Sequence, residues 1–438
     1  MNVVTVQRCR QMFDALVGRR TGIVRDVRLV ATVDGDADLH HAAAATANAH
    51  PGTPTDMKRA VGGAGTTREA AVMASLGEAL ERYLASSYRR GHAPVRSEAE
   101  LDCEAIPAAA FAQFSPRQRR QEGLPFEQAT QQTPLRWVNG KRLSGDSPCA
   151  VPAFAVYLPY VPEPGEAPIA PGISTGLACG DSQESALLGA ACEVIERDAL
   201  ALTWMTGITP PRIEQEAFVD LAGDLLPPRD ECRAFDLTND VGVPVVLVVC
   251  RGQGPSGRLL SVGSASRPDR DAAIRKAAME ASQDRVYVRH LVGRDPDWRP
   301  RPDYSNVTDF SYHARLYSVR PDLVGGAFAF LDDMATDRIL IPTLFRGESG
   351  PMAEALNRVI RRLLDSGHDG VWVDLTPEWA KSQRLHVVKL VVPSLLPLHG
   401  DHRLPYLGHP RLADSHRAMP HGSKNHEYSL WPYPHPFP

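Results

Sequence analysis

Two apolar helical stretches in this 438-residue chain carry the same charged signature. The first reads Ala74-Ser75-Leu76-Gly77-Glu78-Ala79-Leu80-Glu81-Arg82-Tyr83, and the second Ala190-Ala191-Cys192-Glu193-Val194-Ile195-Glu196-Arg197-Asp198. A separation of three residues sets both glutamates of each pair on one helix face. The preceding turns are small and apolar, Ala70 to Ala74 and Ala186 to Ala191, and helices this apolar are buried in folded proteins. Adjacent buried carboxylates repel one another and lose hydration, so the fold must supply cations to them. Two such pairs face to face make a hard-oxygen cage suited to Mg²⁺ and, through it, to a polyphosphate. A worn third copy, Glu280-Ala281-Ser282-Gln283-Asp284-Arg285, lies on another helical stretch. Ordinary surface pairing, worth a few tenths of a kcal/mol, would account for one copy but poorly for two on apolar helices.

The C-terminal residues impose a second constraint. Pro432-Tyr433-Pro434-His435-Pro436-Phe437-Pro438 places proline at every second position. Such a segment joins neither a helix nor a central strand. It favours a stiff polyproline II conformation before it binds anything. A frayed terminus or a ligand for an aromatic groove is the plain alternative.

The formal net charge of −4 gives no electrostatic case for nucleic acid or a membrane surface. Seven scattered cysteines without a C-x-x-C pair suggest neither a zinc site nor a disulfide framework. The N-terminus has no apolar signal region, and the longest apolar run, Val241 to Cys250, is too short to span a bilayer. A reducing, cytoplasmic location is expected.

Periodicity predicts helices over 68–88, 183–205, 271–291 and 352–366, with Gly367 as a stop signal. Strands are expected at 27–33, 135–138, 151–158, 234–237, 243–249, 259–262, 371–374 and 386–392. Strands and helices mix without strict alternation, which indicates α+β rather than a doubly wound sheet. Gly62-Gly63-Ala64-Gly65-Thr66-Thr67 reads as a turn opening the first helix onto an anion, without the Lys-Ser/Thr ending of a P-loop. Ser174-Thr175-Gly176 is either a second backbone cradle or only the turn before the next helix. The late histidines, 399, 402, 409, 416, 421, 426 and 435, lack ligand spacing and read as loop surface.

These residues resemble the YcaO family, and within it the ATP-dependent azoline-forming cyclodehydratases of ribosomal peptide biosynthesis. The likeness runs over nearly the whole chain. It rests on Arg20-Thr21-Gly22-Ile23-Val24, on the Gly62–Thr67 turn with Glu78, Glu81 and Arg82, and on Leu135 to Gly140 with Val151-Pro152-Ala153. It rests also on Ser174 through Ala199, on Lys276 to Arg285, and on the alternating-proline terminus that marks the cyclodehydratase branch. Three positions depart from the family pattern: Ala74 where serine is frequent, Ala64 in place of a lysine, and Ser185 in place of an acid.

The resemblance implies an α+β, YcaO-like fold of mixed sheets with long buried helices around an ATP and Mg²⁺ site. It implies an N-terminal segment over 1–50, a catalytic domain over 51–425 and a proline-rich tail over 426–438 entering the active site. Glu78, Glu81, Glu193 and Glu196 would hold Mg²⁺. Arg20, Gly63, Gly65, Ser75, Ser174, Arg197, Gln283 and Arg285 would meet the nucleotide. Pro434 and Pro436 would carry the tail inward, and the Pro438 carboxylate would position or deprotonate the substrate. The implied reaction converts Cys, Ser or Thr of a precursor peptide to thiazoline or oxazoline. Thioamide formation and a non-catalytic peptide-binding scaffold are the competing readings. The family also implies a separate leader-peptide-binding partner protein and a homodimer.

Overall fold

Residues 3–47, 60–88, 93–111, 113–332, 338–339, 350–420 and 431–438 are described by a computed structural model of the chain. Helix α1 (Val3–Leu16) leads into an antiparallel sheet of β1 (Val24–Val30), β2 (His40–Thr46) and β3 (Ala60–Gly65), in that order. Strand β3 lies where the sequence suggested a glycine-rich turn. Its glycines serve packing, because α2 (Arg68–Ala85) crosses it in backbone contact. A Cβ on Gly63 would overlap Ser75 N and Ala71 O, and one on Gly65 would meet Ala70 Cβ. Thr67 caps α2, its Oγ1 accepting the Ala70 N–H at 3.2 Å. Strand β2, His-His-Ala-Ala-Ala-Ala-Thr, escaped the sequence reading because alanine carries little strand preference. The expected boundary at residue 50 lies outside the described residues, between strands of this one sheet.

A second sheet contains β7 (Arg212–Ile213), β8 (Glu231–Asp236), β9 (Val245–Gly254), β10 (Gly257–Ser266) and β11 (Arg338–Ile339), in the order β10-β9-β8-β7-β11. The β7–β11 pair is parallel and the others antiparallel. The third sheet has the order β5-β4-β12-β13-β6, all antiparallel, from β4 (Trp137–Arg142), β5 (Pro148–Pro152), β6 (Leu177–Gly180), β12 (Val371–Asp374) and β13 (His386–Val391). This is the mixed α+β architecture expected.

Helix α3 (Gln183–Thr206) packs on β6 and β13 and also reaches β10, so it joins the second and third sheets. Seventeen of its 24 residues are buried, which fits its all-round apolar sequence. Helix α4 (Gln215–Ala222) precedes β8, and α5 (Arg270–Arg294) lies across β9 and β10. Helices α6 (Phe310–Val319) and α7 (Met352–Asp365) cover α5 and α3 respectively. Gly367 ends α7 in the left-handed conformation at φ +81°, and the His368 N–H closes on Leu363 O at 2.8 Å.

Two expectations are corrected. Cys232 and Cys250 stand opposite one another on β8 and β9, Cα to Cα 4.1 Å, and are joined as a disulfide. Their pairing comes from strand register, which cysteine spacing alone does not reveal. Secondly, His399, His409 and His435 are buried rather than on a loop surface, whereas His416 is exposed. His421 and His426, and the start of the expected tail at 426, lie outside the described residues. Among the described residues no helix is long and apolar enough to cross a membrane.

Candidate active site

Helices α2, α3 and α5 each lie on a different sheet, and their carboxylates act on one another electrostatically. Glu78 and Glu81 come from α2, Glu193 and Glu196 from α3, and Glu280 from α5. Backbone donors from neighbouring segments fix three of them. Glu81 Oε1 accepts the Cys179 N–H of edge strand β6 at 2.7 Å. Glu193 Oε2 accepts the Gly176 N–H at 3.0 Å. Glu196 accepts Ser264 Oγ at 2.6 Å and the Ser266 N–H at 3.1 Å, both from β10. Charge-assisted bonds of this kind hold a carboxylate in one orientation.

The site's cations are few and loosely placed. Arg82 lies 3.6 Å from Glu78, Arg197 3.8 Å from Glu193, and Lys276 3.0 Å from Glu280. Arg197 Nε is buried without a hydrogen-bond partner. Burial raises the Glu78 carboxyl above its usual range; Arg82 offsets this, while Glu193 and Glu280 reinforce it. Water still reaches that side chain, which is 35% exposed. Burial, then the Glu78 charge, pushes Glu81 up to about 8, against the pull of Arg82 and the Cys179 N–H. Burial and the neighbouring Glu280 also raise Glu196, with Arg197 opposing them. Carboxylates kept charged here would need additional positive charge.

The donor set fits Mg²⁺, which prefers carboxylate oxygens and keeps several waters and phosphate oxygens as its remaining ligands. Among the described residues no three acidic, histidine or cysteine side chains converge tightly enough to chelate an ion unaided.

The remaining expected site residues divide into two groups. Gln283 follows Glu280 by one turn of α5, and its Nε2 lies over Gly62 of β3, where a Cβ would sit 3.3 Å away. Ser174 is half-buried in the loop that delivers Gly176 to Glu193. Arg20 is exposed in the turn between α1 and β1. Three of the expected positions have packing roles in this fold. Gly63 and Gly65 are strand residues pressed on α2. Ser75 is fully buried and donates to Val72 O at 2.9 Å. Arg285 is spent elsewhere: it pairs with the buried carboxylates of Asp36, at 3.3 Å, and Asp230, and donates to Gln253 O at 2.7 Å.

Sequence reasoning missed several contributors. Glu280 was visible in the worn third motif but not as a member of the cluster. Lys389, buried on β13, gave no local signal. The N–H groups of Gly176 and Cys179 carry no side-chain signature at all.

Residues 431–438 thread into the core beside α3. Pro434, His435, Pro436 and Phe437 are buried, and Pro438 is exposed. Three successive carbonyls, which alternating prolines leave free of any ladder, are each taken by a body side chain. Trp204 Nε1 donates to Tyr433 O at 2.8 Å, Tyr317 Oη to Pro434 O at 2.5 Å, and His313 Nδ1 to His435 O at 2.8 Å. His435 Nε2 in turn donates to His399 O at 2.8 Å and its ring stacks on His313 at 3.8 Å. His399 and His402 complete a pocket of four imidazoles. Burial holds His313 down to about 4, and lowers His399, His402 and His435 as well.

A family profile described as "YcaO cyclodehydratase, ATP-ad Mg2+-binding" matches residues 62–396. An uncharacterized protein of Methanothermobacter thermautotrophicus is 28% identical over 348 residues, 76% of this chain and 80% of that protein. Among solved structures, a heterocyclase in complex with substrate and cofactor superposes with a TM-score of 0.70 at 19% identity, over 96% of this chain. The chain spans only 57% of that heterocyclase. A YcaO protein from Methanopyrus kandleri, bound with AMPPCP and Mg²⁺, gives 0.63 at 18% identity, over 97% of this chain and 96% of that one. A chain of the Escherichia coli microcin synthetase McbBCD complex gives 0.57 at 15% identity, over 90% and 95%. At these identities the likeness to solved structures establishes the fold.

Proposed function

The chain belongs to the YcaO family, and from that premise we propose that it is an ATP-dependent cyclodehydratase acting on the backbone of a ribosomal precursor peptide. ATP is the co-substrate, and Mg²⁺ would be held between its phosphates and Glu78, Glu81, Glu193 and Glu196. Bound there, the ion would offset the carboxylate charge and stabilise the transferring phosphoryl group. Arg197, whose Nε–H is unsatisfied, would meet a phosphate oxygen. Gln283, one turn beyond Glu280 on α5, would be a further nucleotide contact.

In the proposed reaction a Cys, Ser or Thr side chain adds to the preceding carbonyl carbon and loses its proton. The resulting oxyanion takes the γ-phosphoryl group from ATP, releasing ADP. The amide nitrogen then gives up its proton as the C=N bond forms and phosphate departs. An amide oxygen is a poor leaving group, and phosphorylation makes it a good one.

The observation that carries this reading over its competitors is the buried tail. Thioamide formation needs the same nucleotide chemistry, and a scaffold needs none. Neither requires a proline-alternating segment docked by its carbonyls on Trp204 of the helix that bears Glu193 and Glu196 and on Tyr317 and His313 of α6. The stiff segment loses little freedom on docking, and Pro434 and Pro436 hold it straight. A separate partner protein would present the peptide.

Mass spectrometry of a precursor peptide incubated with the chain, its partner and Mg²⁺–ATP tests the proposal. A product lighter by one water per modified residue is expected. A gain equal to the difference between sulfur and oxygen, with sulfide supplied, would replace the proposal with thioamidation. Unchanged peptide that nevertheless binds tightly would favour the scaffold.

A further inference from the structure

Lys389 occupies a position that packing alone would assign to an apolar residue. It lies mid-strand in β13, paired with Val373 on one side and Leu177 on the other. Side chains alternate along a strand, so Val387 and Val391 share its face. Those valines belong to two separate apolar clusters, one built around α2 and one around Phe154. The lysine between them is 2% exposed. Burial lowers its ammonium to about 7, with Glu193 opposing and Arg82 adding to the shift.

The ammonium is used. Nζ donates to Ile173 O and to Thr175 O, each at 2.7 Å. The next residue, Gly176, donates its N–H to Glu193 Oε2. Its carbonyl accepts the Leu390 N–H at 2.7 Å. Gly176 is in the left-handed region, φ +81°, and a Cβ there would overlap Leu390 O. The loop is thus clamped between β13 and a carboxylate of the recess, and Lys389 supplies the clamp's charged end. Lys389 also lines the apolar cleft that runs past Thr175 and Val194.

We infer that Lys389 is a positioning residue for Glu193, acting through the Ile173–Gly176 loop so that this carboxylate is presented to a metal–nucleotide ligand. The inference rests on the nucleotide reading above. Its mechanism is a relay of three contacts: Lys389 orders two carbonyls, the ordered loop aims one N–H, and that N–H fixes one carboxylate oxygen. Partners that orient a metal ligand typically contribute tenfold or more to metal affinity.

A double-mutant cycle on the full chain decides it. Lys389→Met, Glu193→Gln and the double variant are titrated with Mg²⁺–AMPPCP by calorimetry and with Mn²⁺ alone by electron paramagnetic resonance. Lys389→Met is close in volume and suits its apolar neighbours, so its melting temperature is expected to hold. The expected result is about a tenfold loss of affinity in the native background and less than about twofold when Glu193 is already Gln. Equal losses in both backgrounds would overturn the inference, because Lys389 would then act independently of Glu193. Lys389→Gln, which keeps a donor for the loop carbonyls without the charge, is expected to recover most of the loss and covers the case where Met disturbs folding. A Gln variant as weak as Met would also overturn the relay. Native chain that binds Mn²⁺ but no nucleotide would sink the nucleotide reading and leave the cycle readable on the metal. Native chain that binds neither would overturn both.

Discussion

Helix α3 carries Glu193 and Glu196 into the acidic recess and, about two turns later, Trp204 against the pocket that holds residues 433–437. Each region gathers like ionisable groups out of water. The pocket contains four imidazoles and the recess five carboxylates. Imidazoles solve the problem by staying neutral: His313 sits near 4 and its three companions are lowered too. A neutral ring needs no counter-ion and can use its N–H to grip a carbonyl, as His313 does on His435. The carboxylates are resolved only partly. Glu81 is pushed up to about 8, yet water still reaches Glu78, and the nearby Arg82 and Arg197 stand 3.6 and 3.8 Å from their partners. The same desolvation yields a neutral clasp in one region and a standing demand for a cation in the other. A third cluster supports this reading. Asp36 and Asp230 are equally buried but are paired with Arg285 and Arg289. Where structure is the purpose, the chain supplies its own cation.

The largest expected effect breaks the recess side of the comparison. Glu81→Gln with Glu196→Gln removes two charged contacts of about 2 kcal/mol each. Mg²⁺–AMPPCP affinity should fall on the order of a thousandfold by calorimetry. The ligand-free double variant should melt no lower than the native chain at pH 8, because two carboxylates under strain have become neutral amides. Unchanged affinity would mean that the recess is not where nucleotide binds. The next effect concerns the pocket. Phe437 is 2% exposed and packs edge-on to Trp204 at 6.1 Å between ring centres. Phe437→Ala should cost about 3 kcal/mol by chemical denaturation. A loss below about 1 kcal/mol would show that the tail is not part of the folded core.

Much of the recess was legible in the sequence because its signal is local. Spacing placed Glu78 beside Glu81 and Glu193 beside Glu196, and apolar flanks announced burial. Helices were legible for the same reason, and α3 and α7 agree with expectation to within one residue. What could not be read depends on pairing between distant segments. Strand β6 offers four residues with no alternation, and its role is to lend one N–H to Glu81. Arg285 shares a helix with Glu280 and Gln283, yet a five-residue offset turns it onto Asp36 and Asp230. Lys389 lies in an otherwise apolar strand, where no local pattern separates a functional lysine from an incidental one. The histidine pocket draws on residues 313, 399, 402 and 435, and only the docking of the tail makes them neighbours.

The smallest effect separates the two regions by sign. For the recess, a raised carboxyl favours the protonated folded form. With no cation present, the stabilisation associated with Glu81 is complete below pH 4.5 and is lost as pH rises through about 8. For the pocket, lowered imidazoles favour the neutral folded form. Docking strength is complete above pH 6.5 and is lost as pH falls toward about 4, the value for His313. Asp309 and Asp401 face His313 and His402 and moderate the slope, while burial raises the Tyr304 and Tyr317 hydroxyls and keeps them neutral across this window. Each linked proton contributes about 1.4 kcal/mol per pH unit, or tenfold in the local opening constant. Hydrogen exchange should therefore run in opposite directions between pH 4.5 and 6.5. Acidification should expose residues 431–438 and protect the end of α2 around Glu81. Saturating Mg²⁺–AMPPCP should flatten the α2 dependence, because the bound cation keeps Glu81 ionised, and should leave the tail dependence in place. Parallel slopes in the two regions, or a tail slope abolished by nucleotide, would mean that the clusters are coupled through α3 and do not titrate as separate units.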